Sequence, residues 1–284
     1  MPPFALIRSV TGSRCCITTV PIRQVPPLIG EYFRGLLRYA RHKVSNHHAG
    51  LEGSLVEEFF TQRSKEQNWS DFADSSTEWY LNIMDASATI KSKVKASMIC
   101  RVLDLGCGRS KLVDWLSARS SESHIQYLGV DIDRVAVEKL SEATHRNGIS
   151  YTTIDLRRDT PSITGPFDII FCINVLPYIS DPSSMLTSVS KFCTASSLLV
   201  VIDPVPGPVW ETDYGGFSIA LRNPSLIASL CRQSGYRLEE EVYMCSGSVF
   251  KLGILPVSAM SVWCQEEKSF NFGGKDNHDR TTIQ

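Results

Sequence analysis

From residue 99 onward, apolar runs alternate with amphipathic stretches regularly enough to predict elements. "ICRVLDL" reads as a strand, "SKLVDWLSAR" as a helix with Leu112, Val113, Trp115 and Leu116 inward, and "IQYLGVDI" as the next strand. Asp133 stands where it can cap "RVAVEKLSEATHRNG", a helix ended by Gly148. "ISYTTIDL" is a third strand, and "FDIIFCINVL" a fourth, almost wholly apolar as a central parallel strand should be. Asp181 or Ser183 opens "SSMLTSVSKFC", "SSLLVVIDP" is a fifth strand, and "NPSLIASLCRQSG" is a helix closed by Gly235. "YRLEEEVYM" and "VSAMSVWCQE" are joined by too few residues for a crossover helix, so they pair as a hairpin. The fold class is α/β: a doubly wound, mostly parallel sheet, helices on both faces, with one antiparallel strand at its edge.

Before residue 99 the pattern is looser. In "LIGEYFRGLLRYARHK" apolar residues recur at helical spacing opposite Arg34, Arg38 and Arg41, which predicts a docked helix. "LVEEFFTQRSKEQNWSDFADSSTEWYLNIMDA" predicts two short helices around Asn68–Ser70, a candidate lid with Trp69 and Arg63 as first contacts. "KSKVKAS" at 91–97 reads as a charged surface connection. The expected division is an irregular arm over 1–27, a helical arm or lid over 28–95, a sheet domain over 96–268 and a disordered tail over 269–284. Residues 1–30 carry Arg8, Arg14 and Arg23 and no acid, so a mitochondrial leader is the alternative to an irregular arm on a cytoplasmic protein.

Composition narrows the function classes. The 284 residues are 43% hydrophobic and 21% charged with a net charge of −1, which disfavours nucleic acid as a partner. No apolar run approaches the roughly 18 residues of a membrane span. Nine scattered cysteines without a CxxC pair suit a reducing compartment and indicate neither a disulfide framework nor a metal site.

Chemistry concentrates in "RVLDLGCGRSKLVDWL", an apolar strand ending in an acid, then two glycines, then a helix. In a doubly wound sheet, ligands bind where this turn lies, at the carboxyl ends of the strands. A P-loop is excluded, because GxxxxGK[ST] is absent. A dinucleotide turn needs a third glycine where Lys111 stands. Asp104 places an anion under the turn, poorly suited to a pyrophosphate and well suited to an ammonium or sulfonium. Asp131, 23 positions beyond Gly108, can accept from both ribose hydroxyls, and Asp155 from an adenine amino group. Ribose recognition alone does not separate S-adenosylmethionine from NAD.

"VLDLGCG", "GVDID", "TTIDL" and "FDIIFCINVLPYI" resemble the successive motifs of the class I S-adenosylmethionine-dependent methyltransferases. The resemblance covers about residues 99–265, the methyltransferase domain, and implies a seven-stranded sheet of order 3-2-1-4-5-7-6. It places Asp104, Gly106, Cys107 and Gly108 around the methionyl part of S-adenosyl-L-methionine, and Asp131 and Ile132 at the ribose. Asp155 and Leu156 fall at the adenine, and Asn174 at the cofactor's amino acid. The sequence departs from the family at "LPY" (176–178), where a histidine is usual.

Methyl transfer needs positioning and, for some acceptors, removal of a proton, so no fixed triad is expected. Candidates for catalysis are Tyr178 and, in the loop "DPVPGPVWETDYGGF", Glu211, Asp213 and Tyr214, with Trp210 as a wall. The expected activity is methylation of a small or medium-sized acceptor at oxygen or nitrogen. Alternatives are a protein (lysine-type) methyltransferase and a non-catalytic S-adenosylmethionine-binding protein.

Overall fold

A computed structural model describes residues 4–8, 14–16, 80–109, 111–120, 124–156, 163–205, 221–247 and 254–266. In chain order the elements are β1 (Phe4–Arg8), β2 (Arg14–Cys16), α1 (Ala88–Ala96), β3 (Ile99–Leu105), α2 (Leu112–Ser117), β4 (His124–Asp131) and α3 (Arg134–Ala143). They continue with β5 (Ile149–Thr153), β6 (Phe167–Ile173), α4 (Pro182–Val189), β7 (Cys193–Pro204), α5 (Pro224–Gln233), β8 (Tyr236–Gly247) and β9 (Ile254–Gln265). The predicted helix in 28–43, the aromatic segment to residue 79 and the tail lie outside the described residues.

All nine of these strands join one sheet of order β2-β1-β8-β9-β7-β6-β3-β4-β5. The seven strands from β8 to β5 follow the predicted order, with β9 antiparallel to both β7 and β8. Parallel pairing of β3 with both β4 and β6 sets the point where the strand order reverses. The faces separate by the two-residue period of the strands. Val102, Phe171 and Val200 turn toward α1 and α2, while Leu103, Ile170, Leu199 and Trp263 turn toward α4 and α5.

The capping residues behave as their chemistry requires. Asp133 opens α3 by accepting from the Val135 and Ala136 N–H groups, Asp181 opens α4 and Asn223 opens α5. Leu112, Val113, Trp115 and Leu116 are the buried face of α2, as the pattern predicted.

Three expectations are corrected. The first residues are not wholly irregular: Phe4–Arg8 pairs antiparallel with β8, and Arg14–Cys16 pairs with it in turn. The main-chain groups on the outer side of β8 therefore meet β1 rather than solvent. Residues 88–96 form a helix rather than a surface connection. Ser87 Oγ accepts from the Ile90 N–H, and Ile90 and Val94 turn one stripe into the core alongside Ile83 and Met84. The end of the expected arm thus packs into the same core as β3. Finally, α3 stops at Ala143, and Gly148 serves the turn into β5 at φ +82°, where a Cβ would lie 2.9 Å from the Ile125 carbonyl oxygen.

Candidate functional site

β3 delivers its C-terminal end to the two-glycine turn, and the neighbouring strands hold that turn in place. The Gly106 and Cys107 N–H groups donate to the Val130 carbonyl at 2.8 and 3.0 Å. Gly106 has φ +70°, and a Cβ there would fall 2.4 Å from Val175 Cγ2. Glycine thus lets the turn after β3 close against the turn after β6, across the reversal point. Gly108 is different: at φ +49° its Cβ position has no atom of the described residues within 4 Å. It faces open space, the room a ligand passing over the turn needs.

Asp131, at the end of β4, ties this turn to the next. Its Oδ2 accepts from the Gly108 N–H at 2.7 Å and its Oδ1 from the Asp133 N–H at 2.8 Å. Each oxygen keeps a further lone pair, enough for two ribose hydroxyls. Burial raises the Asp131 pKa, and the Asp133 and Gly108 N–H donors oppose that rise. Ile132 follows half-buried, and the Ile154 N–H donates to the Asp131 carbonyl, carrying the pairing beyond β5. Asp155, half-buried, and Leu156, buried, lie just past that bond, two and three residues after the strand ends.

Asp104 lies beneath the turn at 2% exposure, accepting from the Tyr127 hydroxyl at 2.5 Å. Burial and then the Asp104 charge push the Tyr127 pKa well up, so the phenol keeps its proton and donates. Cys107 is buried in the same place, and burial followed by the Asp131 and Asp104 charges keeps it a thiol. Gly129 makes room for this cluster, since a Cβ there would be 2.7 Å from Tyr151 and 3.0 Å from Cys107 Sγ.

Across the crevice, Asn174 sits at φ +55° and donates its N–H to the Ile202 carbonyl at 2.7 Å. A turn of 3-10 helix, Leu176–Tyr178, follows, with Tyr178 half-buried. Asp104, Gly106, Cys107, Gly108, Asp131 and Asn174 are thus gathered at the ends of β3, β4 and β6. Trp69, Arg63, Trp210, Glu211, Asp213 and Tyr214 lie outside the described residues.

Sequence reasoning missed two groups here. Asp203, at the end of β7, is 3% exposed and neither of its oxygens makes a hydrogen bond. Burial raises its pKa to about 8, partly offset by the Arg222 charge and the Val175 main chain. Arg222 donates to the Leu176 carbonyl at 2.5 Å and to the Ile179 carbonyl at 2.8 Å. An acid closing an apolar strand was the available signal for Asp203; Arg222, isolated before a helix, offered none.

The residues present fit S-adenosylmethionine. Gly108 leaves the turn open, Asp131 offers two acceptor oxygens, and the Gly106–Val175 contact closes the crevice floor. A family profile described as "Methyltransferase domain" matches residues 103–199. The ubiquinone biosynthesis O-methyltransferase of Dechloromonas aromatica (strain RCB) is 27% identical over 93 residues, 32% of this chain and 38% of that protein. Its namesake from Pseudomonas aeruginosa (strain LESB58) is 26% identical over 88 residues, 30% and 36% of the two chains. The similarity therefore spans little more than a third of these relatives' length. Among solved structures, a methyltransferase dependent on S-adenosylmethionine from Mesorhizobium loti superposes with TM-score 0.51 at 16% identity, over 64% of this chain and 99% of its own. DhpI in complex with SAH superposes with TM-score 0.51 at 13% identity, over 75% and 96%. At such identities these two likenesses speak to the fold alone. The sheet order, the glycine turn and the profile agree with the resemblance: residues 103–199 match a methyltransferase domain, and the strands around them have the class I order.

Proposed function

We propose that this protein methylates a small or medium-sized acceptor at oxygen or nitrogen, with a phenolic hydroxyl the first candidate. The observation that carries the reading is the Gly106–Gly108 turn at the end of β3, tied to Asp131 at the end of β4, where the strand order reverses. The similarity to ubiquinone biosynthesis O-methyltransferases supports oxygen as the acceptor atom.

Asp131 would hold the ribose and Asp155 the adenine, with Gly108 giving the cofactor close passage over the turn. Bound there, S-adenosylmethionine supplies an electrophilic methyl on a sulfonium. The chain's task is then to exclude water and aim the acceptor, which brings most of the rate through proximity.

The test is incubation with radiolabelled S-adenosylmethionine and a panel containing 3,4-dihydroxybenzoate, simple phenols, small amines and a histone peptide. Label on a small hydroxyl or amine is the expected result, and label confined to the peptide would overturn it. Calorimetry supplies the control. Asp131→Ala should weaken cofactor binding by about tenfold or more, through loss of charge-assisted bonds. Tight cofactor binding without transfer to any acceptor would favour a non-catalytic binding protein.

A further inference from the structure

Three neighbouring strands each place one residue at the same level beneath the glycine turn. Asp104 on β3 pairs with Gly129 on β4, and Gly129 pairs with Tyr151 on β5. Glycine in the middle leaves a notch in that row, and the ring of Tyr127 lies over it. Tyr127 stands two positions back along β4, on the same face as Gly129. A Cβ on Gly129 would fall 3.0 Å from Tyr127 Cε1, 2.7 Å from Tyr151 Cδ1 and 3.0 Å from Cys107 Sγ. The Tyr151 ring meets that of Tyr127 at 63°, with centroids 5.6 Å apart.

The notch gives the Tyr127 hydroxyl a diagonal path to the next strand, where it donates to Asp104 Oδ2 at 2.5 Å. Both residues are 2% exposed. Packing of the ring thus fixes where the hydroxyl sits, and the hydroxyl fixes one oxygen of the carboxylate. A tyrosine buried for packing alone is satisfied by any acceptor. This one ends on the acid just before the turn, and a bond to a carboxylate holds more firmly than a neutral one. Being neutral, the hydroxyl orients Asp104 without cancelling its charge, as a lysine or arginine in the notch would.

We propose that Tyr127 is a positioning residue for the cofactor, holding the Asp104 carboxylate in the orientation that receives the amino-acid end of S-adenosylmethionine. Gly129 is the opening that lets the ring reach across. The proposal rests on the reading of this turn as a methyltransferase's cofactor site and adds a residue that acts through Asp104.

The experiment compares the parent protein with Tyr127→Phe, Asp104→Ala and the double variant. Calorimetry measures their affinity for S-adenosylmethionine, S-adenosylhomocysteine and 5′-methylthioadenosine. The last keeps adenine and ribose but lacks the amino acid. Tyr127→Phe keeps the ring in the notch and removes only the hydroxyl. It should weaken the two amino-acid-bearing ligands about tenfold, the scale of a lost hydrogen bond to a charged group. Affinity for methylthioadenosine should stay within about twofold. In the Asp104→Ala background, loss of the hydroxyl should change S-adenosylmethionine affinity by less than about twofold, because its acceptor is already gone. Equal losses for all three ligands, or no loss for either amino-acid-bearing one, would overturn the proposal. A full second loss in the double variant would do the same. Should Asp104→Ala fail to fold, the three ligands on Tyr127→Phe decide it alone. Failure of the parent protein to bind S-adenosylmethionine would overturn the cofactor reading, and the proposal with it.

Discussion

Gly106 and Gly108 differ in what a methyl group would meet, and this separates folding from binding within one turn. At Gly106 an added Cβ collides with Val175 and is strained by φ +70°, so Gly106→Ala should cost about 2–4 kcal/mol of stability. At Gly108 only the backbone conformation objects, so Gly108→Ala should cost about 1–2 kcal/mol. Its methyl group, however, enters the open space over the turn. Melting curves with and without S-adenosylmethionine read both effects. Gly106→Ala should lower the melting temperature most without cofactor, and Gly108→Ala should lose most of the rise that cofactor brings. Equal losses of cofactor response in the two variants would contradict this division. Of these features, the glycines and their acids were legible in the sequence because their spacing is fixed by local chain geometry. Val175 was not, because its contact with Gly106 arises only when β3 and β6 lie side by side.

At the scale of elements, α1 shows what the linear pattern conceals. Three lysines in nine residues read as surface, yet Lys91 and Lys93 are half-buried and donate to the Asp85 and Ser196 carbonyls, while Ile90 and Val94 make the packing stripe. The cap at Ser87 joins the helix to the sheet. Ser87 Oγ donates to Glu240 Oε2 at 2.7 Å while accepting from the Ile90 N–H, and the Thr89 N–H reaches the same carboxylate at 3.3 Å. Glu240 is 2% exposed, beside a register shift in the β8–β9 pairing, so its donors matter. Ser87→Ala removes a cap and a donor to a buried carboxylate, with an expected cost of about 2–3 kcal/mol. Urea unfolding measures it, and a loss no larger than that of an ordinary exposed cap would show that Glu240 is satisfied elsewhere. The pairing of Ser87 with Glu240 spans 153 positions, which explains why a reading of neighbouring residues could not reach it.

For the whole molecule, the buried acid on β7 gives stability a definite pH dependence. Folded, Asp203 holds its proton to about pH 8, against an ordinary value of 3.8. Between those limits the unfolded chain binds fewer protons than the folded one, so stability falls as pH rises through about 4 to 8. The raised pKa of Asp131 acts with the same sign. Urea midpoints should therefore be higher at about pH 5 than at about pH 8.5, and Asp203→Asn should flatten most of that difference. An undiminished slope in the variant would assign the effect to other groups. The sheet order followed from the alternation of strands and helices together with the family's motifs, because handedness and short connections leave few topologies. The additional strands did not, since "FALIR", preceded by two prolines, carries no local sign of the partner it will find.

That partner has a bearing on how the protein is made. Phe4 pairs with Ser246, so β1 has to wait for a strand made more than 200 positions later. During synthesis at about 5–20 residues per second, β1 can pair with β2 at once, but its other edge stays unpaired for tens of seconds. Such a late, distant pairing raises the contact order and is expected to lag behind the rest of the sheet. The edge of β1 that will meet β8 is open throughout that interval, and this is when a chaperone or a neighbouring nascent chain could occupy it.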